Sequence, residues 1–267
     1  WTVRRRKMKK TLFLLTVVGL ALPAVAAPLD FHENWDGYLA GSANRFEEPY
    51  KSTWPDMTGV TNRYPVETAQ NRSSPNSLLV HNTGWSDIKM AITHDLGGEW
   101  QATDENPIVV EFYLRIPGGN SHRRHLDLIV ELSKDDAIAP GESGGAANVI
   151  AFGMPRSVRD AAASWFFDGA TWANTGLAPT GANWQQFKMT VKSNEIDFFI
   201  GDSSNSGFVR TYTGTFTQIN IRHVSDGGTG AAYLDDLSVT GGVLVPEPAT
   251  ALMLLGLGGL FLRRRRG

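Results

Sequence analysis

Two carboxylates stand where a strand-like alternation would otherwise place apolar side chains. Near the start, Glu33 alternates with Phe31 and Trp35; near the end, Asp235 alternates with Tyr233, Leu237 and Val239. An ionised carboxylate on an apolar face is costly unless it is paired or holds a cation. If the first and last strands lie side by side, Glu33 and Asp235 would offer the carboxylate oxygens that Ca²⁺ takes as ligands, with Asp236 or Asp36 contributing. A structural Ca²⁺ site is therefore expected at these four residues. The competing reading is a pair of edge carboxylates in water.

A second polar set alternates with leucines. His125, Asp127 and Glu131 lie on one side of a strand pattern whose other side is Leu126, Leu128, Val130 and Leu132. Along a strand, Asp127 and Glu131 are about 13 Å apart. That exceeds the roughly 5 Å of a retaining glycosidase pair and the roughly 6.5–9.5 Å of an inverting one. His125 and Asp127, about 6.6 Å apart, could serve as acid and base of a polysaccharide lyase. Glu111 and Tyr113 would then join them on a concave sheet face. An ordinary solvated strand face accounts for the same residues.

Tryptophan is the third chemical resource, because sugar rings stack their apolar C–H faces on indole. Trp35, Trp165 and Trp184 lie in or beside strand patterns and are expected to pack the core. Trp54, Trp85 and Trp172 lie in turn-rich stretches and are the candidates to hold polysaccharide. Gly141-Glu142-Ser143-Gly144-Gly145 lacks the flanking strand and helix of a hydrolase nucleophile elbow and reads as a loop. No phosphate loop or zinc-type histidine cluster is present.

The elements that must position these residues are strands. From Ile108 to Ile116 the even positions are apolar and the odd ones include Glu111, Tyr113 and Arg115, a period of two. Further strands are predicted at His125 to Leu132, Ser77 to His81, Lys89 to His94, Asn148 to Gly153, Ser164 to Asp168, Gln186 to Lys192, Glu195 to Ile200, Gln218 to Val224 and Ala232 to Thr240. Turn signals such as Pro117-Gly118-Gly119-Asn120, Asp202 to Gly207 and Asp226-Gly227-Gly228 separate them. About ten short strands without a long amphipathic helix predict an all-β, antiparallel sandwich of jelly-roll type. The stretch Ala40 to Ser74 is long for a connection and reads as a functional excursion or as strands without a clear pattern.

The two ends read differently from the body. Arg4 to Lys10, the apolar run Leu12 to Leu22, and Ala24, Ala26 and Ala27 have the layout of a signal peptide over residues 1–27, with Met8 the better natural start. At the far end, Pro246-Glu247-Pro248 precedes an apolar stretch, Ala249 to Leu262, and the arginines Arg263, Arg264, Arg265 and Arg266. The arginines would stay on the cytoplasmic side of an inner membrane, and the short apolar run would need bilayer thinning or snorkelling to span. Between the ends, residues 28–244 form one predicted domain. Ten of the 25 basic residues lie in the ends, so the body has a net charge of about −11. That balance argues against nucleic acid or anionic lipid as a partner. With no cysteine, neither disulfides nor thiolate metal sites hold the fold.

The tail over residues 245–267 resembles the PEP-CTERM sorting signal in its Pro-Glu-Pro triplet, glycine-bearing short apolar run and arginine cluster. The resemblance implies an exosortase as partner, cleavage at or near Pro246 to Pro248, transient inner-membrane anchoring, and delivery to the cell surface or extracellular matrix. The body resembles the concanavalin A-like jelly-roll group, which includes lectin, laminin G-like and glucanase-like domains. That resemblance rests on Phe31-His32-Glu33-Asn34-Trp35-Asp36-Gly37-Tyr38, on Trp165-Phe166-Phe167-Asp168-Gly169 with Trp172 and Trp184, and on Tyr233-Leu234-Asp235-Asp236-Leu237-Ser238-Val239. Glucanases of this fold show two Glu bracketing an Asp at tight spacing, which the strand His125 to Leu132 lacks. A non-catalytic, glycan-binding surface or matrix protein is thus expected first, a secreted polysaccharide hydrolase or lyase second, and a purely structural surface protein third.

Overall fold

The computed structural model describes residues 27–35, 50–51, 66–67, 72, 77–81, 86–117, 126–135, 148–154, 164–179, 182–226 and 232–246. Among them are sixteen strands and no helix. The first eight are β1 (Leu29–Glu33), β2 (Tyr50–Lys51), β3 (Val66–Glu67), β4 (Ser77–His81), β5 (Ser86–Gln101), β6 (Ile108–Arg115), β7 (Leu126–Ser133) and β8 (Val149–Met154). The rest are β9 (Trp165–Phe167), β10 (Trp172–Asn174), β11 (Gln185–Val191), β12 (Glu195–Ile200), β13 (Ser203–Val209), β14 (Phe216–Asp226), β15 (Ala232–Gly241) and β16 (Val243–Leu244).

They form two antiparallel sheets. Sheet A runs β13-β12-β11-β6-β15-β4-β3, with β1 also paired to β15; sheet B runs β10-β9-β8-β7-β14-β5-β16, with β2 also paired to β5. The first and last long strands, β1 and β15, are neighbours, with Phe31 opposite Val239 and Glu33 opposite Leu237. This is the antiparallel jelly-roll sandwich that the strand pattern predicts. All ten predicted strands are present; nine have bounds within two residues of the expectation, while β5 starts three residues before Lys89 and runs seven past His94.

The core lies between the sheets, where the period-two positions meet. Ile108, Val110, Phe112 and Leu114 of β6 and Phe187, Met189 and Val191 of β11 face Leu128, Val130 and Leu132 of β7, Ile150 and Phe152 of β8, and Ile219 and Ile221 of β14. A chain of rings threads this layer: Phe112 stacks on Phe187 at 5.2 Å, Phe152 meets Phe198 at 4.8 Å, and Phe166 meets both Phe198 and Phe208 at 4.9 Å. Each such pair contributes about 0.5–1.5 kcal/mol beyond its buried area. Strand β8 is buried on both faces, because Ile129, Val149, Ala151 and Phe167 form a second cluster on the far side of sheet B.

One irregularity matters for the site. Across β15 and β6, Asp235 pairs with Tyr113 and Ser238 with Glu111, so β15 holds one extra residue there. Asp236 sits in that β-bulge with φ of 49°, a conformation that Asp tolerates better than most residues. The bulge shifts the phase of β15. Leu234, Leu237 and Val239 face the core, while Tyr233 and Asp235 fall on the outer face.

Candidate functional site: a groove on the outer face of sheet A

Away from the core, β11, β12 and β13 present polar side chains around one aromatic ring. Alternation buries Phe187 and Met189 and turns Gln186, Lys188 and Thr190 outward. On β12 it buries Ile196 and Phe198 and turns Asp197 and Phe199 outward. Register then sets Lys188 between Glu111 of β6 and Phe199 of β12, with Ser204 of β13 beyond Phe199. Gln186, Lys188, Thr190, Asp197, Phe199 and Asn205 line an open groove of about 360 Å³, with Ser204 and Ser206 at its β13 side and the buried Phe198 beneath.

The groove's polar groups are held from behind. The Asp197 carboxylate lies 2.6 Å from the Lys192 ammonium and accepts the Gly207 backbone N–H at 2.9 Å. The hydrogen bond to Asp197, followed by that carboxylate's charge, holds Lys192 above the usual lysine range. The Asn205 amide donates to the Thr175 carbonyl at 2.8 Å and accepts the Ser206 N–H at 3.0 Å, which ties β13 to the segment after β10. The lining therefore combines one half-buried phenyl ring with two amides, an ammonium, hydroxyls and a fixed carboxylate. Such a set can hydrogen-bond a hydroxyl-rich ligand while stacking on its apolar face.

The residues expected from sequence fall elsewhere. Glu33 faces the core side of β1 opposite Leu237 and accepts the Trp35 N–H at 2.7 Å. Asp235 is fully buried on the outer face and accepts backbone N–H groups from Arg72 at 3.0 Å and Asp236 at 2.9 Å. Asp236 is ion-paired with the Arg72 guanidinium, which also stacks over the Tyr113 ring at 3.4 Å. Glu33 and Asp235 thus stand on opposite faces, a change of phase that the bulge imposes on the expected alternation. Arg72 fills the place a cation would take. Asp36 lies outside the described residues, and among the described ones no three His, Asp or Glu side chains group as metal ligands.

The alternative catalytic set is divided between layers. Glu111 and Tyr113 are on the outer face of sheet A, whereas Asp127 belongs to β7 of sheet B; His125 and the Asp127 side chain lie outside the described residues. On β7, Glu131 is not solvated as an ordinary strand face would be. It is fully buried and accepts from Asn220 at 3.4 Å. Trp35 is fully buried in the core, as expected. Trp165 and Trp184 are half-buried. Trp172 is also half-buried and meets Phe167 at 5.5 Å, and Trp54 and Trp85 lie outside the described residues. The groove residues went unnoticed in the sequence because hydroxyls and amides on a strand carry no motif. Phe199 alone left a signal: in two adjacent phenylalanines on one strand, alternation forces one of them outward.

Residues 244–266 match the PEP-CTERM protein-sorting motif. No curated protein matches the chain. Among solved structures, the T. cruzi calreticulin globular domain is similar at a TM-score of 0.50 and 12% identity, covering 88% of this chain and 94% of that one. The lectin UEA-II complexed with galactose aligns at a TM-score of 0.48 and 9% identity, over 80% of this chain and 99% of that one. Peanut lectin aligns at 0.48 and 8% identity, over 83% and 100%. The chain is an all-β jelly-roll sandwich, and it carries a C-terminal PEP-CTERM protein-sorting motif, the mark of an export route.

Proposed function

We propose that this protein is an exported surface or extracellular-matrix protein that binds carbohydrate, without catalysis, through the groove on sheet A. The observation that carries the reading is Phe199, a half-buried ring flanked by Gln186, Lys188, Thr190 and Ser204 on the outer sheet face. Sites built on strands hold their geometry better than sites on loops. The sorting motif supports a surface destination. In this reading the apolar tail is held transiently in the inner membrane, an exosortase processes it near Pro246, Glu247 and Pro248, and the body is delivered outside.

A glycan array with residues 28–246, followed by a reducing-sugar assay on each hit, tests the reading. Binding without product supports it. Product release would establish an enzyme instead, and silence on every glycan would favour a structural role.

A further inference from the structure

The chain passes from sheet A to sheet B within three residues. Gly241 ends β15 and Gly242 follows, with φ of 88° and 68°. A Cβ on Gly241 would lie 2.1 Å from the Pro107 carbonyl oxygen, and one on Gly242 would lie 2.8 Å from the Ile108 side chain. Past this corner, Val243 and Leu244 pair with Gln101 and Trp100 of β5. The Val245 N–H donates to the Glu99 carbonyl at 2.8 Å. Leu244 packs against the main core in a notch over Gly98, where a Cβ would come within 2.7 Å of its Cδ1. The match to the sorting motif begins at residue 244. The motif's first two residues are therefore also part of the folded domain, and no spacer separates the two.

We propose that the fold sets the N-terminal limit of processing: residues through Val245 stay with the body as part of sheet B, and the enzyme that reads the motif cuts on their C-terminal side. The inference rests on the processing reading above. An enzyme that cleaves a backbone needs it extended, with its N–H and C=O groups free to pair. Along this stretch Gly242 donates to the Pro107 carbonyl, Val243 pairs with Gln101, Val245 donates to the Glu99 carbonyl and the Leu244 side chain is packed on the core, whereas Pro246 is exposed and has no N–H to lose. In the step itself the amide C–N bond breaks, the acyl carbon takes the oxygen of water or of an acceptor nucleophile, and the nitrogen leaves as the amine. The body that results keeps β16 as the closing strand of sheet B.

The test is brief digestion of the full chain, in detergent, with a non-specific protease, followed by intact mass measurement. The first stable product should end at Val245 or within a few residues after it. Trimming back to Gly242 at the same protease dose would overturn the proposal. Leu244→Asp should move the boundary back to the Gly241–Gly242 corner and Leu244→Met should leave it in place; an unmoved boundary in the first or a moved one in the second would each count against it. The C-terminus of the body released by an exporting host should likewise lie at or beyond Val245. A tail left uncut in that host would refute the processing reading, while the protease boundary reports on β16 separately.

Discussion

Phe199 and His94 show how much one side chain's placement decides. Phe199 is outward because Phe198 beside it fills the core, and it is the only ring among the described residues that line the groove's open side. Phe199→Ala should weaken glycan binding about tenfold or more, equivalent to about 1.4 kcal/mol, while the melting temperature stays within a few degrees, since the ring lies on the outer face and outside the core cluster. Isothermal calorimetry and thermal melts of the same variant would check both halves. His94 lies half-buried with its ring stacked on Phe31 at 4.2 Å. Burial holds its imidazole below the ordinary histidine value, and the carboxylates of Glu33 and Asp95 offset that only in part. The unfolded chain therefore takes up this proton first as the pH falls. Stability is complete above about pH 6.5 and declines as the pH drops from there towards the lower folded value. His94→Phe keeps the stack and removes the titration, so its urea midpoint should fall less between pH 7.5 and 5 than that of the parent; equal slopes would contradict this.

At the scale of elements, the sequence was most legible where one face of a strand is buried. The alternation in β6, β11 and β12 follows from core packing, and all three are readable from period two alone. Strand β13 was not, because it is a sheet edge whose residues are mostly exposed, and an edge needs no apolar face. Its sequence, Ser203 to Val209, reads as turn chemistry. The bulge at Asp236 was equally hidden, since one inserted residue changes which face Asp235 occupies without changing any residue type. That is why the carboxylates at the two ends of the domain looked co-facial and are not. Asp235→Ala should cost about 1–3 kcal/mol, because it leaves the N–H groups of Arg72 and Asp236 without their buried acceptor. Gly241→Ala should cost about 2 kcal/mol or more, from positive φ and from contact with Pro107. Urea denaturation of each variant would measure these losses; a Gly241→Ala protein as stable as the parent would show that the corner can relax.

As a whole molecule, the domain relies on its core and its sheet pairing. It has no disulfide to restrain the chain, and its carboxylates Glu33, Asp235 and Asp236 are met by backbone donors and by Arg72. Chelation of divalent metal should leave the melting temperature unchanged. A rise on adding Ca²⁺ would place an ion site among ligands that include residues outside this set, such as Asp36. The acidic balance of the body suits a partner that is neutral and rich in hydroxyl groups better than one that is polyanionic. The proposed carbohydrate binding stands on the groove. Its most direct test is to probe one glycan array with the parent body and with Phe199→Ala in parallel. Groove binding predicts discrete glycan hits for the parent that fade in the variant, with folding intact in both. Hits of equal strength in the two proteins would place binding elsewhere and contradict it.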